Sequence, residues 1–222
     1  MRINIKNNKT YSAEEIRRAN DIANPALDKI WAMQWLSDCI HKKDEAKIET
    51  YNEYVSTLTQ TYEVILVVAG REERASIKAV IDLFDPKEGY PEIVFMPLNF
   101  SISDYASVLR RLENKTVALL AVSIMEESLE LRCAYSVAKH FVTSQANKAK
   151  ISPEICVIYS ERSRTIKEDA FENEYTKIEV SHRTDPSYLA NTDPVIFILK
   201  LMGADVEAYI RGFYDCVSAP EW

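Results

Sequence analysis

Three runs of almost unbroken apolar residues constrain this chain more than anything else in it: Glu63-Val-Ile-Leu-Val-Val-Ala69, Thr116-Val-Ala-Leu-Leu-Ala-Val122 and Glu154-Ile-Cys-Val-Ile-Tyr159. Each has the length of a strand, and a strand that is apolar on both of its alternating faces has to be covered on both. Glu92-Ile-Val-Phe-Met96 and Lys177-Ile-Glu-Val180 read as two further strands. Helical stretches around 72–84, 103–113, 126–147 and 164–172 lie between them. This alternation predicts a parallel sheet, and right-handed crossovers turn it into a three-layer αβα, doubly wound α/β fold of five strands.

Helices flank that core at both ends. Ser12-Ala-Glu-Glu15 has the form of a capping box, so a short helix is expected from there to about Asn20. Asn24-Pro25 is expected to break the chain and open a second helix through Ile30, Trp31, Trp35 and Leu36. A third runs from Asp44 to about Thr59, with Ile48, Tyr51, Val55 and Leu58 on one stripe. Pro194 opens an apolar helix through Met202, Gly203-Ala-Asp205 punctuates it, and a last helix reaches about Val217. The expected organisation is one domain over 1–222: helices over 1–60, the parallel core over 61–182 and helices over 183–222. A chain of 222 residues, 47% of them hydrophobic, can bury a core of that size.

Charge excludes several classes of function. The net charge of −7 gives no electrostatic reason to bind nucleic acid or anionic lipid. Arg162-Ser-Arg164-Thr-Ile-Lys167 is bordered by Glu161, Glu168 and Asp169 and reads as a solvated helix end. The N-terminal residues lack the apolar stretch of a signal peptide, and no apolar run is long enough to span a membrane. The four cysteines (Cys39, Cys133, Cys156, Cys216) form no C-x-x-C pair; Cys133 and Cys156 fall inside apolar patterns as reduced core thiols. A cytoplasmic protein is expected.

Read with its helices, the chain resembles the N-terminal sugar-isomerase (SIS) domain of the glucose-6-phosphate isomerase family over about Trp35 to Val217. Val64 to Phe84 lies without a gap on that family's first strand, glycine loop and helix. Glu113-Asn-Lys-Thr-Val-Ala-Leu-Leu-Ala-Val-Ser123 is similar to the strand that leads into its phosphate loop. Pro194 to Phe213, with Gly203-Ala-Asp-Val-Glu207 and Arg211-Gly212, resembles its closing helix pair. The resemblance implies the flavodoxin-like strand order 2-1-3-4-5, counted from the Val64 strand.

The motifs depart from the family where its chemistry lies. Its first strand ends in G-I-G-G-S, whose glycines let amides approach the sugar phosphate; here the chain reads Ala69-Gly70-Arg71-Glu72-Glu73. Its third strand ends in S-K-S-G-T-T, which holds the phosphate at a helix start; here stands Ser123-Ile-Met-Glu-Glu-Ser128. Gly70, Arg71, Ser123 and Ser128 are the residues the resemblance places at a sugar-phosphate site, with Arg74 an alternative to Arg71. Glu126 and Glu127 are expected in the first turn of the following helix, where they would satisfy its positive end and repel a phosphate. Ser123-x-x-Glu126 reads as a capping box for that helix. The family's active-site arginine falls on Ser187, with Arg183 nearby. Its catalytic glutamate, ring-opening histidine and C-terminal lysine have no counterpart in residues 1–222, so no catalytic residue is assigned.

Other residue patterns favour structural roles. His41, His140 and His182 show no metal-ligand spacing, and His41 and His140 fit helix ends. No metal or cofactor is expected. Ser181-His-Arg-Thr-Asp185 lacks the strand-turn-helix setting of a nucleophile elbow. Ser103 reads as an N-cap, and Tyr51 and Tyr54 read as helix-packing residues. The expected function is a catalytically degenerate SIS-like module that binds or regulates, with self-association as a homodimer one way to act. The alternatives are a sugar-phosphate isomerase or binder with a remodelled site, and a structural interaction partner.

Overall fold

In a computed structural model, residues 12–31, 45–181 and 184–218 are described. The chain divides into two units, Met1–Ser37 and Asp38–Trp222. In the first, α1 spans Ala13–Trp31. Its capping box forms as expected: the Ser12 amide donates to Glu15 Oε2 at 2.8 Å, and the Glu15 amide donates to Ser12 Oγ at 3.2 Å. The expected break at Asn24-Pro25 does not occur, and Pro25 lies inside α1. Proline costs the helix the amide that would reach Asp21, but Asp21 and Pro25 are both exposed, so water can satisfy that carbonyl. Trp35 and Leu36 lie outside the described residues.

The second unit runs α2 (Glu45–Thr61), β1 (Val64–Ala69), α3 (Arg71–Ile81), β2 (Glu92–Phe95), α4 (Ile102–Leu112), β3 (Val117–Ser123) and α5 (Leu129–Ala149). It continues with β4 (Ile155–Tyr159), α6 (Thr165–Glu172), β5 (Thr176–Glu179), α7 (Asp193–Leu201) and α8 (Val206–Ser218). All five strands are parallel, in the order β2-β1-β3-β4-β5. Val64 pairs with Glu92 on one side and Val117 on the other, which puts β1 inside the sheet.

Strand alternation explains the three layers. Ile65, Val67, Ala118, Leu120, Cys156 and Ile158 face one side, where α2, α3, α7 and α8 cover them. Val64, Leu66, Val68, Leu119, Ala121 and Val157 face the other, under α4, α5 and α6. A six-residue strand therefore buries every side chain, and β1 and β3 must read as continuous apolar runs. Helix α7 lies deep for the same reason: eight of its nine residues are buried. Tyr51 meets Phe197 edge-on at 5.6 Å and Tyr54 stacks on it at 5.9 Å, the helix-packing role the sequence suggested. Cys156 is buried, and burial pushes its thiol well above the usual range.

Several helix starts differ from expectation. Helix α5 begins at Leu129 with Ser128 as its N-cap, whose hydroxyl accepts from the Leu131 amide at 3.2 Å. Ser123 is the last residue of β3, so the Ser123-x-x-Glu126 capping box does not exist, and Glu126 and Glu127 precede the helix. Helix α4 is capped by Ser101, which accepts from the Asp104 amide at 3.3 Å, and Ser103 lies in its first turn. The acid three residues on favours Ser101 as the cap. His140 is exposed in the middle of α5 rather than at an end, while His41, His182 and Arg183 lie outside the described residues.

Candidate functional site

The strand order reverses between β1 and β3, and doubly wound folds take their ligands at the carboxyl edge of such a switch. Gly70, between β1 and α3, lies there with φ −57° and ψ 166°, a backbone conformation open to any residue. Its lack of a side chain serves another purpose: a Cβ there would stand 2.2 Å from Glu73 Oε2. Glu73, in the first turn of α3, is only 4% exposed. Its Oε1 accepts a long 3.4 Å hydrogen bond from the Ile124 amide, just past β3. The carboxylate thus bridges the two loops of the switch point, one of whose amides it occupies. Burial holds this carboxyl above the usual range, against the lowering effect of backbone amides that include Ile124.

Glu127 makes a second internal anion site. Its side chain leaves the β3–α5 loop and reaches the start of α6. Oε1 accepts from the amides of Arg164 at 2.9 Å and Ile166 at 3.2 Å, and from the hydroxyls of Ser163 at 2.9 Å and Ser123 at 3.1 Å. Oε2 accepts from the Thr165 amide at 3.3 Å. The N-cap residue of α6 is Arg164, which has no side-chain acceptor, so Glu127 supplies the cap from 38 residues away. Burial opposes its ionisation, but the Ser163 hydroxyl and the Arg164 and Ile166 amides prevail, leaving the carboxyl below the usual range.

Beside Glu73 a cleft of about 400 Å³ opens at the sheet edge. Gly70, Arg71 and Ser128 line it, so three of the four residues expected at a sugar-phosphate site converge. Ser123 is not among them; it is fully buried and donates to Glu127. Arg74 turns elsewhere, its guanidinium donating to the Met96 carbonyl at 3.0 Å. Ser187, in the segment aligned with the family's arginine, donates its amide to Asp185 at 2.8 Å and does not line the cleft. The remaining walls carry Glu72, Glu73, Glu126 and Glu130 beside the apolar Leu98, Met125 and Leu131. Four carboxyl groups face one guanidinium. Glu130 lies below the usual carboxylate range, chiefly through its own backbone amide, then through the Ser128 hydroxyl and Arg71.

No family model matches this sequence, and no curated protein matches it. Solved structures do resemble the chain. A hypothetical protein from Thermus thermophilus superposes with a TM-score of 0.71 at 14% identity, over 92% of this chain and 51% of its own. A glucose-6-phosphate isomerase from Chlamydia trachomatis gives 0.59 at 14%, over 75% and 31%. A tagatose-6-phosphate ketose/aldose isomerase from Escherichia coli gives 0.51 at 12%, over 83% and 49%. The fold is shared. The chain spans about half the length of the first and third of these structures and about a third of the second.

Within that fold, sequence reasoning missed what Glu73 and Glu127 do. For Glu73 a signal was present: glycine as N-cap offers no hydroxyl to pair with an acid at the third helical position, which leaves that acid uncommitted. For Glu127 there was none, because its partners at the start of α6 lie 36 to 39 residues along the chain. Among the described residues, no group of three His, Cys, Asp or Glu is placed to hold a metal ion, and no helix is long and apolar enough to cross a membrane.

Proposed function

We propose that this chain is a sugar-isomerase-like domain without isomerase chemistry, acting as a binding or regulatory module. One observation carries the reading: the buried carboxylate of Glu73 bridges the two loops where the resembling family holds its phosphate, and takes up the Ile124 amide there. A phosphate dianion entering the cleft would also face Glu72, Glu126 and Glu130. Each costs about 2 kcal/mol at 4 Å even in water, twice the monovalent figure. Self-association as a homodimer is one form the regulatory role can take.

A second reading, a sugar-phosphate isomerase or binder with a remodelled site, draws on Arg71 and Ser128 in the same cleft. Turnover separates the two. In a coupled assay that follows glucose 6-phosphate to fructose 6-phosphate in both directions, the purified protein is expected to give no rate above background. Turnover abolished by Ser128→Ala would establish the second reading and remove the first.

A further inference from the structure

The crevice next to this cleft, between β3 and β4, has a different character. A small cleft of about 160 Å³ opens there, lined by Glu126, Glu127, Arg132, Arg164 and Thr165, with almost wholly polar walls. Glu127 is already committed to five donors, so its charge is answered within the protein. Glu126 remains as the opposing negative charge. Against it stand two guanidiniums, and among the described residues neither Arg132 nor Arg164 has a side-chain hydrogen bond or ion pair.

Both arginines also stand where helix electrostatics disfavour them. Arg132 is in the first turn of α5, and Arg164 is the N-cap residue of α6. A cation is unfavourable at the positive end of a helix, where chains ordinarily place acids. The Arg132 side chain, leaning toward the N-terminus of α5, shares one cleft with Arg164. Two guanidiniums without a side-chain partner thus share one cleft with Glu126 and the already committed Glu127, on a protein whose net charge is −7. Guanidiniums offer planar, charge-assisted donors suited to phosphate oxygens, and the exposed Thr165 can add a hydroxyl.

We infer that this cleft is an anion site for the phosphate group of a small organic phosphate. Arg132 and Arg164 grip its oxygens, and the rest of the molecule projects into solvent. Recognition is thereby displaced by one strand from the β1/β3 cleft that Glu73 occupies. The inference does not require that the proposed function be correct.

Calorimetric titration of the full chain at low ionic strength tests it, with inorganic phosphate and fructose 6-phosphate as probes. The wild type should bind both. Arg132→Gln and Arg164→Gln should each weaken binding about ten-fold, the double variant should abolish it, and Arg71→Gln should leave it unchanged within about two-fold. All three side chains are exposed, and matching circular dichroism spectra and melting curves establish that the variants fold. If the wild type binds neither probe at millimolar concentration, the inference is wrong while the proposed function stands. If binding survives Arg132→Gln with Arg164→Gln but is lost with Arg71→Gln, the anion sits in the β1/β3 cleft, which overturns the inference and favours the second reading of the proposed function.

Discussion

Truncating Glu127 to alanine is the most direct challenge to the account of internal carboxylates. The substitution removes the acceptor for three α6 amides and two serine hydroxyls at once. The amides of the exposed Arg164 and Thr165 can turn to water, so their loss resembles that of an ordinary N-cap, about 1 kcal/mol. Ile166, Ser123 and Ser163 are buried, and a buried donor without a partner costs about 1–3 kcal/mol. The serine hydroxyls can rotate toward other acceptors and the vacated space admits water, so Ile166 counts at the lower end, the two serines together count about as much again, and the total is about 3 kcal/mol. For a domain of this size that lowers Tm by about 6–12 °C. Linkage adds a second signature. The folded-state pKa of Glu127 lies below its unfolded value. Its contribution is therefore complete above the ordinary carboxyl range and is lost as pH falls through the folded-state pKa. Urea unfolding of wild type and Glu127→Ala should show a constant stability gap at neutral pH that narrows in acid. Hydrogen exchange should show the Ile166 amide losing protection. A variant that melts within about 2 °C of the wild type and keeps Ile166 protected would refute the capping role.

Two further predictions concern the β1/β3 cleft. Glu73 has a raised folded-state pKa, so the native state holds its proton more tightly, and wild-type stability declines as pH rises from the unfolded value through the raised one. Glu73→Gln, which keeps an acceptor for the Ile124 amide, should remove that decline. Its stability relative to wild type in urea melts should rise as pH increases above the ordinary carboxyl range, and the opposite trend would show that Glu73 is held as a stabilising charge. Gly70→Ala should destabilise the wild type by about 1–3 kcal/mol through overpacking against Glu73, yet be neutral or stabilising in a Glu73→Ala background, because φ at Gly70 suits alanine. Additive effects in that double-mutant cycle would mean that Gly70 is not there to make room for Glu73.

The fold was legible because its three central strands are buried on both faces. Continuous apolar runs such as Val64–Ala69 and Val117–Ser123 suit strands covered on both faces, which pointed to a parallel sheet, while the order 2-1-3-4-5 came from the family resemblance. Local chemistry was legible where both partners lie within one turn, as at Ser12 and Glu15. It misled where several polar residues competed for one role. Ser123 and Ser128 both stand three or fewer residues from a glutamate, and only the length of β3 decides that Ser128 caps α5. Proline was misread for a related reason: Pro25 breaks one hydrogen bond, but an exposed helix can give that bond to water.

The site was half legible, and the missing half concerns where charge goes. Sequence placed Glu126 and Glu127 together at the start of α5 as two equivalent repulsive charges. In the structure they part: Glu126 stays on the walls of both clefts, while Glu127 crosses to α6 and becomes its cap. A helix start that offers amides to a phosphate offers them equally to any carboxylate the chain can bring there. A tethered carboxylate arrives at an effective concentration a free metabolite does not reach. A phosphate that displaced Glu127 from α6 would forfeit the roughly 3 kcal/mol of capping, a penalty of about a hundredfold in affinity. The α6 amides are therefore closed to solution anions, and at the β1/β3 edge Glu73 occupies the Ile124 amide by the same kind of contact. Among the described residues Arg132 and Arg164 are a pair of donors that no internal carboxylate has claimed, and so a phosphate can bind them without first displacing part of the fold.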